Sequence, residues 1–468
     1  MQKKRLITAA ILTILCAALA FVPMNGLDPT GKGVLLVFLW AILMWIVRPI
    51  PEYLVGVLAA AILAIFFGQK ANVVSGFATS GWWLCLWAGF IGSVIKFSGL
   101  GERVAYWILV KLTKSELSAN YATSLANTVL SLMIPSNTAR GAVMSPICDN
   151  ICDGMGYKRG EHKGDAAIML SNLYTNTTNT WLFYTAVGAN AIGMALVEEM
   201  TGQSISWTGW LKATCIPAGI IVLLIPLITN FLFGTRKGEK RSIDIEFAKK
   251  KLEEMGPLTV KEKKAAIYFA LTLLAFCTNG IHHVAPDYVV FVTIFLMLCP
   301  GIGVCSFKDV GPNFAWPAFI QLGFAMSLAS CVNKTGGFQW LVDAMFTTNP
   351  AFSAMDPTLF ITIWLAFVVV SHIIFAGMNA MEAVLVPVSM TMAAALGFDV
   401  YTMGLLTVMA IAPSANFLPF NSAPNLIYAS TDRFSTAQQL KGAIVIAVLV
   451  IIGFVFLVNV WFPVIGIL

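Results

Sequence analysis

Long apolar runs, broken at intervals by short polar knots, dominate the 468-residue chain. The runs are continuous rather than alternating at period two, so they read as helices and not as barrel strands. At roughly 20 residues per membrane crossing, the pattern predicts helices near 5–23, 33–48, 51–68 and 80–98. An amphipathic piece at 100–114 and an apolar hairpin at 118–152 follow. Further helices are expected near 165–197, 211–233, 264–280, 287–305 and 313–332. An amphipathic piece at 338–348, a second hairpin at 357–397 and helices near 402–430 and 440–466 complete the map.

Hydrophobic residues make up 58% of the chain and charged residues only 11%, whereas soluble domains carry about a quarter charged residues. Backbone polar groups in lipid need internal partners, which leaves helices or closed barrels as spanning structures. The expectation is an all-α polytopic membrane protein with about 11 transmembrane helices and two re-entrant hairpins. The basic start and apolar core of the first 22 residues mimic a signal peptide, but "FVPMNG" offers no small-residue cleavage site. A retained first span is the reading. The nine cysteines lie mostly inside apolar runs and read as small buried hydrophobes.

Charge supports this map. With a cytoplasmic N-terminus and both hairpins returning to their own side, the outer face receives only Lys32, Lys70, Lys212 and Lys334. The other side collects the N-terminal cluster, Arg48, Lys96, Arg103, Lys111, Lys114, Lys158, Arg159, Lys163, Lys308, Arg433, Lys441 and the linker 234–264. That asymmetry is the positive-inside pattern of a plasma-membrane protein. The linker reads as a cytoplasmic loop with a surface helix. No phosphate-cradling glycine loop, HExxH pattern or nucleotide fingerprint is present. Neither cofactor nor metal is expected, and nucleotide and nucleic acid are not expected partners. Four histidines without a recognisable pair in a span argue against an intramembrane enzyme.

The polar knot "IPSNTARGAVMSPI", Ile134 to Ile147, breaks one of the most apolar regions. Pro135 ends one helix, and Ser136, Asn137 and Thr138 are the residue types that cap the next. A helix start at membrane depth presents unpaired N–H groups and partial positive charge, which suits an anion. Shifted by 241 residues, the knot meets Phe375 to Val388, with Ala139, Ala142, Val143 and Pro146 matching Ala380, Ala383, Val384 and Pro387. Each copy is followed by a span interrupted by polar residues, 174–193 and 413–430, in which Asn190 and Asn425 correspond. Inverted repeats with broken helices are a common way to build a transporter site near the midplane.

Ser136-Asn137-Thr138 at a hairpin tip, together with "NSAPNLIYAS" and "DRFSTAQQLKGAIVI" near the end, resembles the divalent anion/sodium symporter family of INDY-like dicarboxylate carriers. The resemblance covers essentially the whole chain. It implies a homodimer whose scaffold domain anchors a transport domain that carries both hairpins across the bilayer as an elevator. On that reading the first inverted repeat is 1–233, with scaffold helices 1–114, hairpin 118–152, broken helix 165–197 and helix 211–233. The linker 234–264 precedes the second repeat, 265–468. This holds scaffold helices 265–332, hairpin 357–397, broken helix 402–430 and the final helix 440–466.

Sodium-coupled members repeat Ser-Asn-Thr at the second tip, where this chain has Gly377, Met378 and Asn379. A thioether stands where a hard cation wants oxygen. The sequence is therefore more similar to the sodium-independent exchangers of 2-oxoglutarate, malate, succinate, citrate or tartrate. Sodium- or proton-coupled symport is the alternative. The expected substrate contacts are the two tips plus Thr177, Thr178, Asn179, Ser422 and Asn425, although these last hydroxyls and amides could instead bond helix carbonyls. Arg140 either balances a dianion or pairs with Glu382, because a charge at membrane depth needs a partner. His372 either joins it or packs as a hydrogen-bonded histidine.

Overall fold

The computed structural model describes residues 2–235, 244–344, 355–375 and 377–466. Part of the linker, residues 345–348 of the expected amphipathic piece and one tip residue, Ala376, lie outside them. The structure is helical, and no strand occurs among the described residues. In chain order the first helices are α1 (Gln2–Leu19), α2 (Pro29–Val47), α3 (Glu52–Phe66), α4 (Ser80–Ser98) and α5 (Leu100–Leu112). Next come α6 (Glu116–Met133), α7 (Asn137–Gly154), α8 (Gly164–Leu182), α9 (Gly188–Thr201), α10 (Trp207–Thr214) and α11 (Pro217–Phe233). The linker carries α12 (Glu246–Met255), followed by α13 (Val260–Cys277), α14 (Pro286–Leu298), α15 (Trp316–Lys334) and α16 (Gly337–Val342). The last helices are α17 (Pro357–Ser371), α18 (Met378–Leu396), α19 (Val400–Ile411), α20 (Ala423–Ala429) and α21 (Thr436–Phe456).

Several helices begin about one turn before the apolar pattern that predicts them. Asp28 accepts from the Thr30 and Gly31 N–H groups and Pro29 sits at the first helical position, so α2 starts at 29 rather than 33. Thr259 with Glu262, and Ser435 with Gln438, form capping boxes that start α13 and α21 four residues early. Hydropathy underweights these polar first turns. The expected helix 211–233 is two helices, α10 and α11, bent by 55° at their junction, where Pro217 begins α11.

Among the described residues, three helices are long and apolar enough to cross a membrane alone: Pro29–Val47, Met378–Leu396 and Thr436–Ile465. Two bent pairs, Asn72–Ala78 with Ser80–Ser98 and Trp207–Thr214 with Pro217–Phe233, also qualify. Shorter apolar helices, among them α3, α14 and α17, supplement them.

The chain forms two compact units, each discontinuous in sequence. One comprises Met1–Trp83, Ala191–Ser204 and Ala315–Ile411. Within it α15 packs on α3 and on the 3-10 turn Asn72–Ala78, where the Gly76 N–H donates to Ser327 Oγ at 2.9 Å. A Cβ at Gly76 would stand 2.3 Å from the Gly323 carbonyl oxygen, so only glycine allows this approach. α18 packs against α15, α16 and α19. The other unit comprises Leu84–Asn190, Ile205–Phe314 and Ala412–Leu468. Its centre is α8, whose residues are buried along its whole length between α6, α7 and α11.

An entirely buried helix reading "SNLYTNTTNT" must find polar partners or bear a desolvation cost. α6 supplies them. Ser124 pairs with Ser171 at 3.0 Å, Asn127 Nδ2 donates to Asn172 Oδ1 at 2.9 Å, and Thr128 Oγ1 donates to Asn179 Oδ1 at 3.2 Å. The polar faces of hairpin and broken helix are thereby locked in register.

Candidate functional site

The first hairpin tip forms as its residue types dictate. α6 ends at Met133, Ile134 is extended, and Ser136 becomes the N-cap of α7, its Oγ accepting from the Ala139 N–H at 3.2 Å. Asn137 and Thr138 occupy the first turn, whose N–H groups have no helical carbonyl to bond. Asn137 is buried and Thr138 half-buried. The Asn137 carbonyl accepts from Asn176 Nδ2 of α8 at 2.9 Å, fixing the start of α7 against the broken helix.

Arg140, one turn further, is fully buried. Its Nε donates to Asn176 Oδ1 at 3.0 Å and its Nη2 to the Asn176 carbonyl at 3.0 Å. Nη1 donates to the Ile134 carbonyl at 2.7 Å and the Ala186 carbonyl at 2.5 Å. Four of the five guanidinium hydrogens thus bond neutral oxygens within this unit. The side chain ties the hairpin tip to the break that follows α8, and among the described residues of this unit its charge meets no carboxylate. Glu382 belongs to the other unit, and both its carboxylate oxygens are buried without a hydrogen-bond partner among the described residues.

Two helices lead into irregular breaks. After α8 the chain passes through extended Phe183, a 3-10 turn at Tyr184–Ala186 and extended Val187 before α9. Asn190 lies beyond this break, and its Nδ2 donates to the carbonyls of Thr180 (2.7 Å), Tyr184 (3.1 Å) and Phe183 (3.4 Å). After α19 a 3-10 turn at Ala412–Ser414 leads to α20, and Asn425 Nδ2 donates back to the carbonyls of Ala415 (2.9 Å) and Leu418 (2.8 Å). Each asparagine therefore serves the carbonyls ten and seven positions before it. This shared bonding gives the sequence correspondence of Asn190 and Asn425 a physical reason: a broken helix at membrane depth frees carbonyls, and one amide reaches back to satisfy them.

The remaining expected contacts divide. Thr177 Oγ1 bonds the Leu173 and Tyr174 carbonyls and Asn416 Oδ1, joining α8 to the segment before α20. Ser422 Oγ donates to Asn425 Oδ1 at 2.9 Å and orients that amide. Thr178 Oγ1 and Asn179 Nδ2, by contrast, are buried without a partner among the described residues, leaving a hydroxyl and an amide donor available beside the break.

In the other unit the second tip lies between α17 and α18. Gly377 is the N-cap and makes no side-chain capping bond. Met378 is buried and Asn379 half-buried. His372 is fully buried, and its Nδ1 stands 3.2 Å from the Ile411 carbonyl at the end of α19.

Sequence inspection treated Arg433 only as a topological charge, yet it is fully buried. Its Nε pairs with Asp149 at 2.6 Å, Nη2 bonds Asp153, and Nη1 donates to the Tyr157 carbonyl at 2.9 Å. The far end of α7 is thus clamped to the segment between α20 and α21. Tyr428, likewise missed, donates from its hydroxyl to Asn172 Oδ1. The only available signal was that Asp149 and Asp153 stand one helical turn apart on α7.

A family profile described as "Sodium:sulfate symporter transmembrane region" matches residues 3–468. An L-tartrate/succinate antiporter of Shigella sonnei is 26% identical, the alignment covering 96% of each chain. A citrate/succinate antiporter of Escherichia coli K12 is 24% identical over 92% of this chain and 93% of its own. The Alcanivorax borkumensis YdaH transporter shares the fold with a TM-score of 0.60 at 14% identity, over 92% of this chain and 98% of its own. The profile match spans nearly the entire multi-pass chain: it belongs to the sodium:sulfate symporter family of membrane carriers, the divalent anion/sodium symporters.

Proposed function

We propose that this carrier exchanges C4–C6 di- or tricarboxylates across the plasma membrane without sodium, binding them at the Ser136–Thr138 tip. The observation that carries the reading is the pairing of a capped helix start with the buried guanidinium of Arg140 one turn later, which meets no carboxylate among the described residues. Both direct positive potential at the tip, and in a low-dielectric site such potential calls for an anion. Thr178 and Asn179 add neutral donors nearby. The names of the relatives, tartrate, citrate and succinate antiporters, support carboxylates as the anion class. The N-terminus is proposed to be cytoplasmic, and the protein a homodimer in which the two inverted repeats described above, 1–233 and 265–468, contribute the hairpins to one elevator-like transport domain.

At the second tip, Gly377 and Met378 lack the side-chain oxygens that a sodium site requires. Exchange in proteoliposomes is therefore expected to run at the same rate when choline replaces sodium at constant ionic strength. A clear sodium-dependent rise would move the protein to the symport reading.

Asn137→Ala tests the site itself. Loss of one hydrogen bond to a charged ligand costs about 1.5–3 kcal/mol, or about one to two decades in affinity. The variant should remain folded while succinate, citrate and malate lose their thermal protection of the purified protein. Undiminished protection by all three would remove the tip from the site.

A further inference from the structure

We infer that Glu382 is a proton-binding site: it holds a proton in the packed arrangement seen here and releases it to water when α18 and α9 separate. This rests on the carboxylate-exchange reading, which it extends by a protonation step. Glu382 lies on the second turn of α18, fully buried, with both carboxyl oxygens lacking a hydrogen-bond partner among the described residues.

Gly193 of α9 and Val408 of α19 lie against the carboxyl. A Cβ built at Gly193 of α9 would stand 2.3 Å from Glu382 Oε2 and 2.4 Å from Val408 Cγ2 of α19. The acid is therefore pressed onto bare α9 backbone, at a position where any larger residue would displace it. An ionised carboxylate buried in this way would have no hydrogen-bond partner among the described residues, an arrangement that membrane interiors penalise severely. The neutral acid fits the same space.

At the start of α18, Arg48 Nη2 would stand 3.8 Å from a Cβ built at Gly377, and Arg48 Nε pairs with Glu52 at 2.7 Å. Glu382 itself makes no hydrogen bond to a cation among the described residues. α9 carries Glu198 and Glu199; Glu199 accepts from Ser330 Oγ at 2.6 Å and lies 3.9 Å from Lys334, and Glu198 lies 3.5 Å from Ser80 Oγ. α15 carries Cys331 and that Lys334, α19 carries Tyr401, and α16 is followed by Asp343, which accepts from Gln339. His372, at the end of α17, is directed to the Ile411 carbonyl. Because α9 and α18 meet at Gly193, any movement that parts them admits water to the carboxyl. A proton then leaves for the solvent, and must be regained before the helices close.

The test uses the full-length protein reconstituted in sodium-free vesicles with radiolabelled succinate on both sides. The pH is varied symmetrically from neutral upward, where succinate stays a dianion. Wild-type exchange should fall severalfold as pH rises, and Glu382→Gln, which mimics the neutral acid, should exchange at a pH-independent rate. Infrared spectra of the purified protein provide a second readout: a protonated-carboxyl C=O band that titrates at alkaline pH in the wild type and is missing from Glu382→Gln. A pH-flat wild type, a retained pH response in the variant, or absence of the band overturns the proposal. The band present without any succinate exchange supports the proton site and counts against the carboxylate reading alone.

Discussion

Arg140→Lys is expected to abolish succinate exchange and to lower the stability of the purified carrier, even though it keeps the charge. A lysine ammonium has three donors on a flexible stem and cannot span Asn176, Ile134 and Ala186 as the planar fork does. Each lost bond to the charged group is worth about 1.5–3 kcal/mol, and at least two of the four must go. The tip then loosens from the break after α8, so the helix start no longer presents its N–H groups in fixed positions. Arg140→Gln should be worse, because the positive charge that favours a dianion disappears as well. The sequence also suggested an Arg140–Glu382 ion pair, in which Glu382→Met would strand the arginine and Arg140→Met/Glu382→Met would recover stability, as replaced buried pairs often do. With the arginine bonded within its own unit, Glu382→Met alone is expected to be neutral or stabilising and the double variant to remain as impaired as Arg140→Met. Thermal unfolding and succinate exchange on all five proteins decide between these readings. Recovery in the double variant would refute the tethering role.

Asn190→Asp and Asn425→Asp should each eliminate transport, and with similar severity. The substitution keeps the shape but replaces the NH2 donor with an acceptor, so an oxygen confronts the Thr180 and Tyr184 carbonyls, or those of Ala415 and Leu418. A buried carbonyl left unpaired costs about 1–3 kcal/mol, and each variant strands at least two while adding repulsion. Asn190→Ala and Asn425→Ala should be milder, since water can enter the vacated space. The expected order of melting temperatures is wild type, alanine, aspartate at both positions. A normal exchange rate in either aspartate variant would show that the amide does not hold the break in its working shape.

The sequence by itself determined most of the helical elements, though not the bend between α10 and α11. Pro135 and Ser136 specify a helix end and a helix start through local chemistry, so the tip was legible in three residues. The two asparagines were legible for the same reason, because they reach carbonyls within ten positions of themselves. The starts of α2, α13 and α21 shifted where a cap such as Asp28 or Ser435 extended the helix into polar residues that hydropathy discounts. The destination of long side chains was beyond reach. Arg140 bonds residues up to 46 positions away and Arg433 bonds Asp149 across 284, and nothing local distinguishes a guanidinium that meets solvent, substrate or carbonyl. Thr177 and Thr178 are adjacent and alike in sequence, yet one is saturated by Asn416 and the helix behind it while the other has no partner among the described residues. A hydrogen bond is a property of two positions in space. The tertiary structure alone decides which polar atoms on a buried helix are already spent on the protein and which remain for a ligand.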